Sequence, residues 1–120
     1  MRVLVVDDSG PVRQMLSRLL STLPHFEQVG HATDGCQALE AVAKLHPDVI
    51  ILDIRMPKMN GLEVLEKLNE RGSNCRVVVF SQLADEVYRT KCLQLGAESF
   101  FDKVSGFDQF QQKLLEMRRR

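Results

Sequence analysis

A surplus of charge of either sign is missing from this chain. Its 120 residues carry 16 Lys plus Arg and 16 Asp plus Glu, for a formal net charge of zero. No global field draws it to nucleic acid or to an anionic membrane, and direct nucleic-acid binding is not expected. Cysteine is scarce: Cys36, Cys75 and Cys92 are odd in number and irregular in spacing. They match no zinc or redox motif, suit a reducing cytosol, and are expected to act as small apolar residues. His25, His31 and His46 also lack ligand spacing and are expected at the surface or its boundary. No apolar run is longer than a strand, so no membrane span is expected. The chain enters a strand at once, without a visible signal peptide, and a cytoplasmic location is expected. There is no Gly-rich phosphate loop after that strand, only Asp7-Asp8-Ser9-Gly10, which argues against a dinucleotide or flavin binder. Repeats, low-complexity segments and linkers are absent, and the length fits one domain over 1–120.

Alternating strands and helices fill the chain. Arg2 to Val6, Val49 to Leu52, Val77 to Phe80 and Glu98 to Phe101 are short, apolar and mostly β-branched or aromatic. Such runs suit a parallel sheet covered by helices on both faces. A weaker strand is expected from about Gln28 to Thr33. Between the strands, apolar residues recur at helical spacing: Val12, Met15, Leu16, Leu19, Leu20 and Leu23; Ala38, Leu39, Val42 and Leu45; Leu62, Leu65 and Leu68. A fourth helix is expected over 85–95, with Gly96 left-handed just past its end. Phe107, Phe110, Leu114 and Met117 stripe a fifth. Ser105-Gly106-Phe107-Asp108 resembles a capping box for that helix. Arg118-Arg119-Arg120 is expected to complete its last turn against the helix dipole, with the start of a linker as the sharper reading. The fold class is α/β, with five βα units and right-handed crossovers.

Four of the strands stop at residues suited to phosphate or metal: Asp7-Asp8, Asp53, Ser81 and Asp102-Lys103. In an open parallel sheet the carboxyl ends of the strands share one edge, and ligands bind there. Carboxylates packed together repel, and burial raises their pKa values. A hard cation relieves this. Mg²⁺ suits the set because it takes a few carboxylates, keeps waters and binds phosphate oxygens. A carboxylate can attack phosphorus to give an acyl phosphate, and Lys103 and the Ser81 hydroxyl could stabilise the transferring group. Taken singly, each residue has an ordinary reading: a helix cap for Asp7 and Asp8, a solvated surface amine for Lys103, a cap for Ser81. Their joint placement at four strand ends favours a functional site.

Together these segments resemble a bacterial two-component response-regulator receiver domain over essentially the whole chain. The resemblance rests on Val5-Val6-Asp7-Asp8-Ser9, Ala32-Thr33-Asp34-Gly35, Asp48-Val49-Ile50-Ile51-Leu52-Asp53, Met56-Pro57 with Asn60-Gly61, Ser81, Gly96-Ala97, and Phe100 with Lys103. It implies a flavodoxin-like sheet of order 2-1-3-4-5 and a phosphorylatable switch rather than an enzyme with a separate substrate. Asp53 would accept a phosphoryl group from a sensor histidine kinase or phosphotransfer protein. Asp8, Asp53 and the Arg55 backbone carbonyl would ligate Mg²⁺ directly, with Asp7 holding it through water. Lys103 would pair with Asp53 and then with the phosphoryl group. Ser81 would move toward that group, and Phe100 would turn inward with it, although plain core packing is the competing reading of Phe100. Arg55 and Leu83, two residues beyond Asp53 and Ser81, would flank the phosphoryl group and slow its hydrolysis. An output domain or partner protein, and phosphorylation-dependent pairing through the fourth and fifth helices, are further implications.

Three positions depart from the commonest family pattern. Val104 stands where Pro is usual, so a trans Lys103–Val104 bond is expected. Ser81 replaces Thr, and Phe100 replaces Tyr, losing a phenol. Two alternatives remain open at this point. One is an unphosphorylated protein-binding pseudo-receiver, against which the complete set of acids, amine and hydroxyl argues. The other is an aspartyl-phosphate hydrolase, against which Arg55 argues, because a second acid usually stands at that position.

Overall fold

A computed structural model describes residues 1–119. Five parallel strands form one sheet in the order β2-β1-β3-β4-β5: β1 (Arg2–Val6), β2 (Glu27–Ala32), β3 (Val49–Leu52), β4 (Arg76–Ser81) and β5 (Ser99–Asp102). Helices α1 (Gly10–Ser21), α2 (Gly35–Leu45), α3 (Gly61–Glu70), α4 (Glu86–Gln94) and α5 (Phe107–Glu116) alternate with them. The strand order reverses between β1 and β3, and that crevice is where an open α/β sheet receives ligands.

Strand side chains alternate between two apolar layers, which is why β3, the central strand, carries no polar residue. Val3, Val5, Val49, Ile51, Val78 and Phe80 pack with Leu16, Leu20, Phe110 and Leu114 of α1 and α5. Leu4, Val6, Ile50, Leu52, Val77 and Val79 pack with Leu39, Val64, Leu65 and Cys92 of α2, α3 and α4. The same alternation separates the neighbouring phenylalanines of β5. Phe100 enters the second layer, while Phe101 faces the first and meets Phe110 edge-on at 5.9 Å.

Helix ends follow local chemistry. Ser9, Asp34, Asn60 and Asp85 each cap a helix by accepting a backbone N–H, and Asn60 with Glu63 forms a full capping box. Gly96 has φ +99°, as expected, and closes α4: its N–H reaches Leu93 O and the Ala97 N–H reaches Cys92 O, the paired bonds of a Schellman end.

Several expectations need correction. The fifth helix has no capping box: its N-cap is Gly106, with no side-chain cap bond. The preceding turn is organised by Asp102, whose carboxylate accepts the Val104 N–H at 2.8 Å and whose carbonyl accepts the Gly106 N–H at 2.8 Å. A Cβ on Gly106 would meet the Asp102 backbone, so the chain passes this point as glycine. Helix α5 also ends before the arginines. Arg118 instead folds back to donate to the Leu115 and Met117 carbonyls, Arg119 lies 3.7 Å from Asp48, and Arg120 lies outside the described residues. The second strand starts and ends one residue earlier than expected. Of the cysteines, Cys92 is buried as a small apolar residue, and burial pushes its thiol up to about 11. Cys36 is exposed and plays no such part.

Candidate functional site

Strand register brings the acids together. Val6 pairs with Leu52 across β1 and β3, so Asp7 and Asp53, each one residue further on, leave the sheet side by side. The backbone holds both: Asp53 N donates to Val6 O at 3.0 Å, and Asp7 N donates to Ala32 O at 3.1 Å. On the other side of β3, Ser81 ends β4 opposite Asp102, and the Lys103 N–H donates to Ser81 O at 3.0 Å. Asp7, Asp53 and Ser81 are buried, whereas Asp8 is exposed.

One amine serves two of the acids. Lys103 Nζ lies 2.7 Å from Asp7 Oδ2 and 3.4 Å from Asp53 Oδ2. The expected partner, Asp53, is therefore the more distant one, and Lys103 bridges the pair. A single cation does not neutralise the cluster. Burial, with the Asp7 charge beside it, pushes the Asp53 carboxyl above its ordinary range, against the opposing pull of Lys103 and the Ser81 hydroxyl. Ser81 Oγ also accepts the Leu83 N–H at 3.1 Å.

Carboxylate oxygens of Asp7, Asp8 and Asp53 all lie within 4.8 Å of one another. Oxygens bound to one octahedral Mg²⁺ stand about 3–4 Å apart, given metal–oxygen distances of about 2.1 Å. Small side-chain adjustments close that gap. The donor set is all oxygen, the cluster needs positive charge, and Asp8 opens to solvent, so the residues fit a hard divalent cation that retains waters.

The remaining expected residues surround this cluster. Arg55 is exposed just beyond Asp53, and Leu83 is half-buried beyond Ser81. Phe100 is 3% exposed. The described residues contain no cis peptide bond, so Lys103–Val104 is trans as expected, and Val104 projects into solvent.

Three contributions were not anticipated. Gly61 packs so closely on the Asp53 and Ile54 backbone that a Cβ would clash, and its N–H donates to Ile54 O at 2.8 Å. It braces the peptide that carries Asp53, beyond the turn expected of Asn60-Gly61. Arg13, in the first turn of α1, donates to the Asp7 carbonyl at 2.8 Å. Arg89 of α4 reaches the Phe100 carbonyl at 3.3 Å. A glycine at a helix start was a usable signal for the first. Two scattered arginines gave none.

A doubly wound parallel sheet with three acids, a lysine and a hydroxyl at its carboxyl edge defines a phosphoryl-accepting signalling domain. The family model described as "Response regulator receiver domain" matches residues 3–115, and the chain belongs to that family: it is a phosphorylatable signalling switch of the two-component type. A protein-glutamate methylesterase/protein-glutamine glutaminase of Xanthomonas campestris is 47% identical over 104 residues, covering 85% of this chain and 29% of that protein. The response regulator domain of Thermotoga maritima CheB superposes with a TM-score of 0.87 at 38% identity, covering 97% of this chain and 91% of that one. CheY in the CheX-CheY-BeF3-Mg+2 complex of Borrelia burgdorferi gives 0.88 at 31% identity, covering 96% and 87%. The chain spans less than half the length of the curated relatives it matches. No helix among the described residues is long and apolar enough to cross a membrane.

Proposed function

We propose that Asp53 is the phosphoacceptor. The observation that carries this reading is its position: buried, at the end of the central strand, 3.4 Å from the only amine in the cluster. A carboxylate oxygen of Asp53 attacks the phosphorus of a phosphohistidine. The P–N bond breaks, its electron pair stays on the imidazole, and an acyl phosphate forms. Lys103 and the Ser81 hydroxyl stabilise the charge on the equatorial oxygens. Asp8, Asp53 and the Arg55 carbonyl would hold Mg²⁺ directly and Asp7 through water, and the ion would supply neutralising charge. The Borrelia relative, solved with BeF3 and Mg+2, supports this choice of metal.

The donors are a sensor histidine kinase, a phosphotransfer protein or a small phosphodonor. Ser81 and Phe100 form the switch that reports the phosphoryl group to an output domain or partner, with pairing through α4 and α5 as one form of output. The domain catalyses only its own phosphorylation and slow dephosphorylation in a cytoplasmic setting. The methylesterase activity named for its relatives is not carried over, because the match covers a minor part of those proteins.

Intact mass after incubation with Mg²⁺ and acetyl phosphate tests the assignment. Wild type should gain one phosphoryl group, and Asp53→Asn none while remaining folded. Equal uptake by the variant would refute the acceptor. A wild type that stays folded and gains nothing would point to a protein-binding pseudo-receiver. Leu83 offers no hydrogen bond to an attacking water, and Arg55 is no base at neutral pH. The acyl phosphate should therefore decay about tenfold more slowly than in Leu83→Glu with Arg55→Asn, less than the ~10²–10⁴-fold of a fully positioned general base. Equal decay rates would reject that role for the flanking pair.

A further inference from the structure

We infer that Arg89 is a positioning residue for Phe100, holding its ring in the buried conformer and so setting the resting balance of the switch. The inference rests on the reading of Ser81 and Phe100 as the switch pair. It comes from a side chain that neither the acid cluster nor the core explains. Arg89 lies on the exposed side of α4, yet its guanidinium turns back onto β5. The guanidinium carbon sits 5.5 Å from the centroid of the Phe100 ring. One terminal nitrogen donates to the Phe100 carbonyl at 3.3 Å, and Nε lies 3.9 Å from Glu86 Oε1. The planar fork thus addresses the ring face, the strand backbone and its own helix at once, a geometry that an ammonium does not reproduce.

Two features give this contact leverage. The first is the residue it covers. Phenylalanine has no phenol with which to anchor either conformer, so the face of the ring is its only electrostatic handle. The second is the weakness of the surrounding helix. Cys92 is the single buried residue within α4, and elements with few buried contacts open most readily. Phe100 pairs with Val79 in the register that also pairs Asp102 with Ser81. Movement at Phe100 is thereby conveyed along two strands to the hydroxyl facing Asp53.

The cation–π contact forms only when the ring lies beneath the guanidinium. A group that contacts one of two conformers shifts their ratio by its differential interaction. For a partly exposed cation–π pair the shift is about two- to fivefold.

Exchange of the Phe100 ring, read by ¹³C relaxation dispersion on the full chain without phosphodonor, tests the inference. Arg89→Met keeps the length of the stem and removes the cation. It should raise the outward population of Phe100 up to about fivefold, with a smaller rise in Arg89→Lys. The rings of Phe80 and Phe110, on the opposite face of the sheet, should not change. Unaltered Phe100 exchange in Arg89→Met would overturn the inference, as would an equal rise at all three rings, which would mean general loosening. Adding beryllium fluoride with Mg²⁺ should return Phe100 of the Met variant to the wild-type population. Failure of that step alone would reject the switch role of Phe100, leaving the contact with Arg89 intact.

Discussion

The two edges of the sheet solve opposite electrostatic problems. At the carboxyl edge, three carboxylates converge and one amine lies between two of them. At the amino edge, two cations among the described residues converge on one carboxylate. Glu98, just before β5, takes a bidentate fork from Arg76, with both nitrogen–oxygen distances 2.7 Å, and Lys113 Nζ at 2.8 Å. Arg76 also donates to the Arg118 carbonyl, so this clasp ties β4, β5, α5 and the segment after it. The acids respond in opposite directions. Burial and a like charge push Asp53 up, whereas the Arg76 and Lys113 hydrogen bonds draw Glu98 down to about 2. A group held below its ordinary range strengthens the fold, and one held above it weakens the fold when charged. The contrast teaches that one edge is built for stability, while the other stores repulsion that a metal and a phosphoryl group can relieve.

Substitutions at the two edges should therefore separate activity from stability. The largest effect is expected for Lys103→Met. It removes the only amine in the cluster and should slow phosphoryl uptake from acetyl phosphate by about a hundredfold, the usual scale for losing one preorganised charge. Glu98→Gln should leave that rate within about twofold, and an equal loss in both variants would erase the distinction.

The next effect is on stability. Glu98→Gln should lower the unfolding free energy at neutral pH by about 2 kcal/mol, a figure reduced from the full pKa shift because water screens part of the pair. For a depressed carboxyl the stabilisation is present above its unfolded pKa and is lost as pH falls through the folded one. In wild type this contribution should fade from about pH 4.5 down to about pH 2, and in Glu98→Gln it should be missing throughout. Urea unfolding across that range reads both.

The smallest effect has the reverse sign. Asp53 has a raised folded pKa, so the folded state holds its proton more tightly and stability falls as pH rises past the ordinary carboxylate range. Without Mg²⁺ at neutral pH, Asp53→Asn should melt several degrees above wild type. A lower melting temperature would mean that Lys103 and Ser81 outweigh burial and Asp7.

Much of the active edge was legible in the sequence, because apolar strands announce where they end. Asp7, Asp53 and Ser81 follow such runs directly and Lys103 one residue later, and parallel pairing leaves few ways to arrange them. The stabilising clasp was not legible. Arg76, Glu98 and Lys113 come from β4, the turn before β5 and α5, and each alone reads as an ordinary surface charge. The same limit hid Arg13 and Arg89, whose long side chains cross from one element to another. The loop after β5 was misjudged because Ser105 and Asp108 have capping-box spacing. The Asp102 carboxylate and carbonyl take the nearby backbone N–H groups first and move the N-cap from Ser105 to Gly106.

Titration of the side-chain carboxyl carbons by ¹³C NMR, without Mg²⁺, compares the two edges within one experiment. Asp53 should titrate above the ordinary carboxylate range and Glu98 near about 2, and Mg²⁺ should move Asp53 downward while leaving Glu98 in place. Asp53 titrating at or below the ordinary range in metal-free protein would contradict the claim that this edge stores repulsion.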